Sequence, residues 1–385
     1  MILAFVPGRG QNAPTRMLTC IELHDFKSFS HQRVDLAPLT LFVGPNASGK
    51  SNLFDALHVL RGLSLGLTAE EVFRPVTRGG ALIWPGIRGG SGEAARAGTE
   101  RFAIASAWRD DLEERHYGVE METARRIALL QETFGARDTN QIFRIEDRQE
   151  TIPSAIGSAQ QPIASTIGPI QRGIQAIIPM EISPSLMRDY AQRGATTIGS
   201  RAENISAVVY QYCADSSRKA DLVDWISQLC APEIVDIDFT VTDIADVMLK
   251  LVERSGARIS ARSLSDGTLR FLGVIMALLS AKPGAIVLLE EPDVGLHPAR
   301  IHLLAELLES VAHGRSVQIL ATTHSPLLLS NLTSQTLGQS VAFARDFDSS
   351  TTIVRRLCDM PNFAEIEARR GIEYLFTTEW LERAA

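Results

Sequence analysis

Eight consecutive residues, Gly44-Pro45-Asn46-Ala47-Ser48-Gly49-Lys50-Ser51, match GxxxxGK[ST] at every fixed position. Glycine at both ends lets the backbone curl around an anion without Cβ clashes. Successive N–H groups and a following helix N-terminus then face that anion. Lys50 adds a positive charge for the β- and γ-phosphates of a nucleotide, and the Ser51 hydroxyl is a ligand for Mg²⁺. A chance Gly-rich turn is the alternative. The context argues against it, because the motif lies between an apolar run, Leu39–Val43, and a helical stripe at Leu53, Phe54, Leu57 and Leu60.

A second chemical cluster follows another apolar run. Ile286-Val287-Leu288-Leu289 leads directly into Glu290-Glu291. A buried parallel strand delivers such carboxylates to its C-terminal edge, where ligands bind in these sheets. Glu290 is expected to hold the metal and Glu291 to orient the attacking water. Glu290 stands where Asp is usual, which lengthens the arm toward the metal. Val317–Ala321 then ends in Thr322-Thr323-His324, on the same edge, where His324 can report the γ-phosphate or serve a purely structural purpose.

Leu264-Ser265-Asp266-Gly267-Thr268 precedes the apolar stretch Leu269–Leu279. Ser, Gly and a helix N-terminus make a second anion site, or an ordinary helix cap. One subunit has no use for two phosphate sites on one nucleotide. The pair makes sense if two copies face each other and each caps the γ-phosphate held by the other. Asp293, in the turn Pro292–Pro298, is a candidate for contact across that interface, whereas His297 is equally well a packing residue.

These motifs need strands and helices to hold them. Strands are predicted at Met17–Leu23, Arg33–Leu36, Leu39–Val43, Phe102–Trp108 and Tyr117–Met121. A hairpin with a Ser255-Gly256 turn is predicted at Val247–Ser260. Helices are predicted at Ser51–Leu60, Ser185–Arg193, Ala220–Cys230, Leu269–Leu279 and Ala299–Val311. Gly79–Gly98 reads as a mobile Gly-rich loop, and Ile152–Pro179 as an irregular linker. Phe363–Leu381 is amphipathic and is expected to dock on its own domain or on a partner. The DxD at Asp346 and Asp348 reads as surface acids.

Taken together, the motifs resemble the RecF/SMC/OLD branch of ABC ATPases. Ile21–Leu57, with Phe26-Lys27-Ser28-Phe29, matches the first half, and Leu264–Leu272, Ile286–Pro298 and Ala321–Pro326 match the second. Asp266 and Thr268 depart from the transporter form LSGGQ but suit the RecF/OLD-like form, and the glutamine of the Q-loop has no assigned position. The resemblance implies an α/β P-loop ABC-ATPase head with a mixed sheet. Residues 17–110 and 246–360 would form the core, 111–245 an inserted, mostly helical lobe, and 361–385 a C-terminal helix. Residues 1–16 would be a disordered tail or a mis-called start, with Met17 the true beginning. It also implies ATP and Mg²⁺ as cofactors, a homodimer or higher oligomer closed by ATP, and hydrolysis that gates work on DNA or on a separately encoded nuclease or Toprim effector, in repair or antiphage defence. A transporter subunit is disfavoured by the roughly 215 residues between Lys50 and Ser265. A single-chain nuclease is disfavoured by the lack of a recognisable Toprim acid cluster.

Composition agrees with this assignment. The 385 residues are 45% hydrophobic and 22% charged, with a net charge of −7, so no whole-chain basic footprint for nucleic acid exists. Four scattered cysteines form no CxxC pair and read as reduced cytosolic thiols. No apolar run has the length of a membrane span, so a cytoplasmic location without membrane contact is expected.

Overall fold

The computed structural model describes residues 16–110, 113–123, 127–136, 141–146, 161–229, 234–346, 349–372 and 374. The expectations for the first fifteen residues, Cys230, Asp348 and the chain beyond 374 fall outside these. The chain divides into two compact units, Gly8–Ile177 with Gly338–Ala385, and Ile178–Leu337.

In the first unit, Leu39–Val43 is buried along its whole length, which is the mark of a strand covered on both faces. It pairs in parallel with Val341–Arg345, which pairs antiparallel with Thr352–Arg356, so the sheet is mixed. The helix Lys50–Ser64 follows at once. A second, antiparallel sheet runs in the order Phe29–Asp35, Met17–Phe26, Arg101–Arg109, Glu114–Glu122, Ala128–Ala136, Gln141–Glu146. Its first hairpin turns tightly: Asp25 and Lys27 adopt φ of 48° and 49°.

Two expectations change here. Gly79–Gly98 is built rather than loose: it contributes Ala81–Trp84, paired with Val76–Arg78. Trp84 is the reason. It is buried, donates its indole N–H to Val72 O at 2.9 Å and packs edge-on against His58 at 4.5 Å. Much of the expected linker Ile152–Pro179 is the helix Gln161–Gln175, which contains Pro169. Ile167, Ile170 and Ile174 are buried on one stripe, and burying it outweighs the proline penalty. Gln171 and Gln175 donate to Ser64 O at 3.1 and 2.7 Å, satisfying a carbonyl at the end of the loop helix.

In the second unit, Ile286–Glu290 and Gln318–Thr323 pair in parallel, Glu290 opposite Thr322. Ten of the fourteen residues of the helix Asp266–Leu279 are buried, as its nearly continuous apolar run requires. The hairpin Asp246–Glu253 with Arg258–Ser260 forms as predicted, Gly256 at φ 87° in its turn. Ser185–Arg193 is not one helix. Pro184–Met187 makes a single short helix and Ala191–Gln192 a short strand. The segment 111–245 is likewise less helical than expected, since Glu114–Glu122, Ala128–Ala136, Gln141–Glu146 and Ile234–Val241 are strands. In Glu114–Glu122 every second residue, Arg115, Tyr117, Val119 and Met121, is buried, which fits a half-covered antiparallel sheet. No described helix is long and apolar enough to cross a membrane.

Candidate functional site

The phosphate loop has the backbone its glycines allow. Gly44 sits at φ 148° and Gly49 at φ 105°. A Cβ on Gly44 would lie 2.2 Å from Phe343 O, and one on Gly49 would lie 2.3 Å from Thr352 Oγ1. Ala47 is left-handed too, at φ 63°. Asn46 and Ala47 form the exposed rim of the loop, Pro45 is half-buried beside them and Ser48 is its buried floor. Lys50 is buried and donates to Gly44 O at 2.8 Å and Pro45 O at 2.7 Å, so its ammonium is held at the mouth of the loop. Ser48 Oγ is buried with no hydrogen-bond partner. An orphaned hydroxyl in a loop of inward-curled backbone is what a bound phosphate would satisfy. These residues fit a nucleotide's phosphates.

Supports for the loop come from outside the motif. Thr352 Oγ1 lies 2.7 Å from Ser28 Oγ and 2.8 Å from Ser48 O, and Asn52 donates to Ser28 Oγ at 2.9 Å. Lys27 makes a buried ion pair with Asp55 at 2.6 Å and donates to Arg88 O at 2.7 Å. Arg88 in turn reaches Ser51 O at 2.8 Å and Asp55 at 3.2 Å. The strand Thr352–Arg356 and the segment holding Arg88 carry no motif, so nothing in the sequence pointed to Thr352 or Arg88. Ser28 and Lys27 had a signal, their place in Phe26-Lys27-Ser28-Phe29 just before the loop.

The carboxylates are brought together with the histidine in the other unit. Glu291 adopts φ 46°, a left-handed conformation that costs a non-glycine residue energy. It is held there by its own N–H, which lies 3.1 Å from Thr322 O and 3.2 Å from Thr322 Oγ1 on the adjacent parallel strand. The turn aims the carboxylate at His324, whose Nε2 is 3.3 Å from Glu291 Oε1. Thr323 donates to Asp293 Oδ1 at 3.0 Å, and burial raises the Asp293 carboxyl above the usual range despite that bond. A cavity of about 400 Å³ opens beside this group, with Glu181, Arg270, Glu290 and Glu291 in its wall. Glu290 and Ser51 are hard oxygen donors of the kind Mg²⁺ takes.

Ser265 caps the helix Asp266–Leu279: its Oγ accepts from Thr268 N at 3.1 Å and lies 2.9 Å from Thr268 Oγ1. The ordinary-cap description is therefore realised, and it leaves the helix N-terminus exposed beside the hydroxyl. Gly267 packs against Gly295, where a Cβ would lie 2.8 Å from Gly295 O, so this turn and the one carrying Asp293 fit together only without side chains. Arg188, unsuspected from the sequence, clamps the motif. Its Nη2 donates to Leu264 O at 2.7 Å and to Asp266 Oδ1 at 2.8 Å, and its Nε to Arg262 O at 3.3 Å. His297 caps its own turn by accepting from Ala299 N at 3.2 Å, which favours the packing reading.

Comparisons with known proteins bear on the family and the fold. A family model described as "AAA domain, putative AbiEii toxin, Type IV TA system" matches residues 104–330, and one described as "AAA domain" matches residues 20–62. Over 62 residues the chain is 40% identical to the DNA replication and repair protein RecF of Nocardioides sp., which is 16% of this chain and 14% of RecF. Over 68 residues it is 43% identical to the chromosome partition protein Smc of Gloeobacter violaceus, 17% of this chain and 6% of Smc. The matches thus span a small part of those relatives. Among solved structures, the Smc head domain with an extended coiled coil bound to the C-terminal domain of ScpA, from Pyrococcus furiosus, aligns at TM-score 0.52 and 14% identity, covering 92% of this chain and all of that one. The SmcHead bound to the C-winged helix domain of ScpA aligns at 0.51 and 16%, covering 88% and 98%. The fold is that of an SMC-like head domain, α/β with mixed sheets.

Proposed function

The chain belongs to the AAA-domain family described by the AbiEii-type model, and from that membership we propose that it binds and hydrolyses ATP at a site completed by a second copy of itself. The observation that carries this reading is the loop at residues 44–51, with its left-handed glycines, buried Lys50 and orphaned Ser48 hydroxyl.

In this reading Lys50 and the loop amides bind the β- and γ-phosphates. Ser51 and Glu290 would hold Mg²⁺, which supplies charge neutralisation at the phosphates when bound. Glu291 orients the water, whose oxygen attacks the γ-phosphorus as the bond to the β–γ bridging oxygen breaks, and the water's proton passes to solvent or phosphate. His324, close to Glu291, senses the γ-phosphate. Ser265, Gly267 and the helix N-terminus behind them meet the γ-phosphate from the opposite copy, with Leu264, Asp266 and Thr268 shaping that turn. Asp293 contacts the partner. Catalysis is then positioning and electrostatics. ATP closure and release gate work on DNA or on an effector protein, in keeping with the DNA-related names of the matched relatives and the toxin–antitoxin wording of the family.

The test pairs two variants. Lys50→Ala abolishes binding of a fluorescent ATP analogue. Glu291→Gln retains binding, loses turnover and doubles in mass by light scattering with ATP and Mg²⁺. Normal turnover in Lys50→Ala, or a strictly monomeric Glu291→Gln at high concentration, would sink the proposal.

A further inference from the structure

The first hairpin carries a group of side chains that the nucleotide chemistry does not use. Strand alternation places Ile21 and Leu23 in the core and turns Glu22 and His24 outward. On the facing strand His31 is directly opposite His24, and Arg33 directly opposite Glu22. His31 is therefore across from one outward residue and diagonal to the other. The two imidazoles stack at 4.0 Å between centroids with 22° between planes, and His31 Nε2 lies 3.9 Å from Glu22 Oε1. One donor atom from each of the three residues falls within 4.8 Å of the others.

We propose that Glu22, His24 and His31 form a surface site for a zinc-class divalent cation, with three protein ligands and one open coordination position. Two imidazoles and a carboxylate are the donor set of three-ligand zinc sites. Imidazole nitrogen selects Zn²⁺, Cu²⁺ or Ni²⁺ over the oxygen-seeking Mg²⁺ and Ca²⁺, so this site is chemically separate from the one that would serve a nucleotide. A tetrahedral ion with bonds near 2.1 Å holds its ligand atoms roughly 3.4 Å apart. Closing from 4.8 Å calls for side-chain rotation rather than backbone movement, and both histidines are exposed. Arg33 is no obstacle, because its guanidinium is paired with Asp35 at 3.1 Å. The backbone already provides the register: a cross-strand pair is held by the sheet's own hydrogen bonds, so little order must be created on binding. A bound ion would cross-link the two strands just before the turn that offers Lys27 and Ser28 to the loop helix.

The experiment uses the full-length protein, freed of metal by chelator and kept without nucleotide, titrated with zinc chloride in a calorimeter. We expect one site of micromolar affinity. His24→Ala, His31→Ala and Glu22→Gln each weaken it by about tenfold or more, since even a residue that only supports a ligand is worth that much. His302→Ala, an exposed histidine on another element, leaves it unchanged. Cu²⁺ in place of Zn²⁺ should show electron-spin coupling to two imidazole nitrogens, reduced to one in either histidine variant. Absence of saturable zinc binding, or full affinity in the His24→Ala/His31→Ala double variant, overturns the site, and full affinity in Glu22→Gln overturns the three-ligand assignment. Because no nucleotide is present, none of these results depends on ATP binding.

Discussion

Single hydroxyls and rings around the phosphate loop determine whether its motif residues are held ready. Thr352 Oγ1 stands within hydrogen-bond reach of both Ser28 and the Ser48 carbonyl. Thr352→Val keeps the shape but removes that partner, and an unmade buried bond costs about 1–3 kcal/mol. Urea denaturation should show that loss, with weaker binding of an ATP analogue beside it. His58, on the loop helix, is set by its surroundings in another way. Burial, helped by the charges of Arg61 and Arg88, pushes its imidazole from 6.5 down to about 4. A base whose folded value is depressed is neutral in the fold and protonated in the unfolded chain between those two values. The unfolded state then binds more protons, so stability rises with pH across that window and is lost as pH falls from 6.5 toward 4. His58→Phe, which keeps an aromatic ring against Trp84, should flatten that slope, by on the order of 2–3 kcal/mol over the window. Denaturation at pH 4.5 and pH 7 in both proteins checks it. A slope unchanged in the variant would locate the titration elsewhere.

Elements were legible in the sequence where one physical force dominates. Leu39–Val43, Ile286–Glu290 and Gln318–Thr323 are short stretches built around apolar residues that lead into polar chemistry, and they form buried strands. Elements that depend on a distant partner were not legible. Ala81–Trp84 looked loose because its glycine neighbours suggest a loop, yet a single tryptophan seated against His58 and Val72 organises it. Arg188 is the same lesson applied to function. It lies directly after the short helix Pro184–Met187, and only the fold brings it to Leu264 and Asp266. Its guanidinium fork holds the turn at three acceptors, Arg262 O, Leu264 O and Asp266 Oδ1, a geometry a lysine does not reproduce. Arg188→Ala should leave ATP-analogue binding by the monomer within about twofold of wild type while weakening ATP-dependent dimerisation by about tenfold, and Arg188→Lys should recover only part of it. Equal damage to monomer binding and dimerisation would mean that Arg188 merely supports the fold.

At the scale of the molecule, both halves of the chemistry were readable because each is a short motif at a strand end, while the supports of each half were not, because they come from far along the chain. The motifs also carry an oddity: two anion-binding turns for one nucleotide. If the signature of one copy serves the phosphate loop of the other, the two defects must complement each other in trans. Lys50→Ala lacks a working loop but keeps its signature, and Ser265→Arg blocks the signature but keeps its loop. Each alone should be inactive as a homodimer. In a mixed dimer one site combines both defects and the other combines both intact parts. Random pairing of equal amounts makes about half the dimers mixed, each with one of two sites working. The mixture should therefore recover about a quarter of wild-type ATPase activity, rising and falling with the ratio of the two variants. A steady-state phosphate-release assay reads this directly. If the signature acted within its own chain, Ser265→Arg and Lys50→Ala would each lack a part that no partner supplies, and their mixture would stay at the average of the two parents.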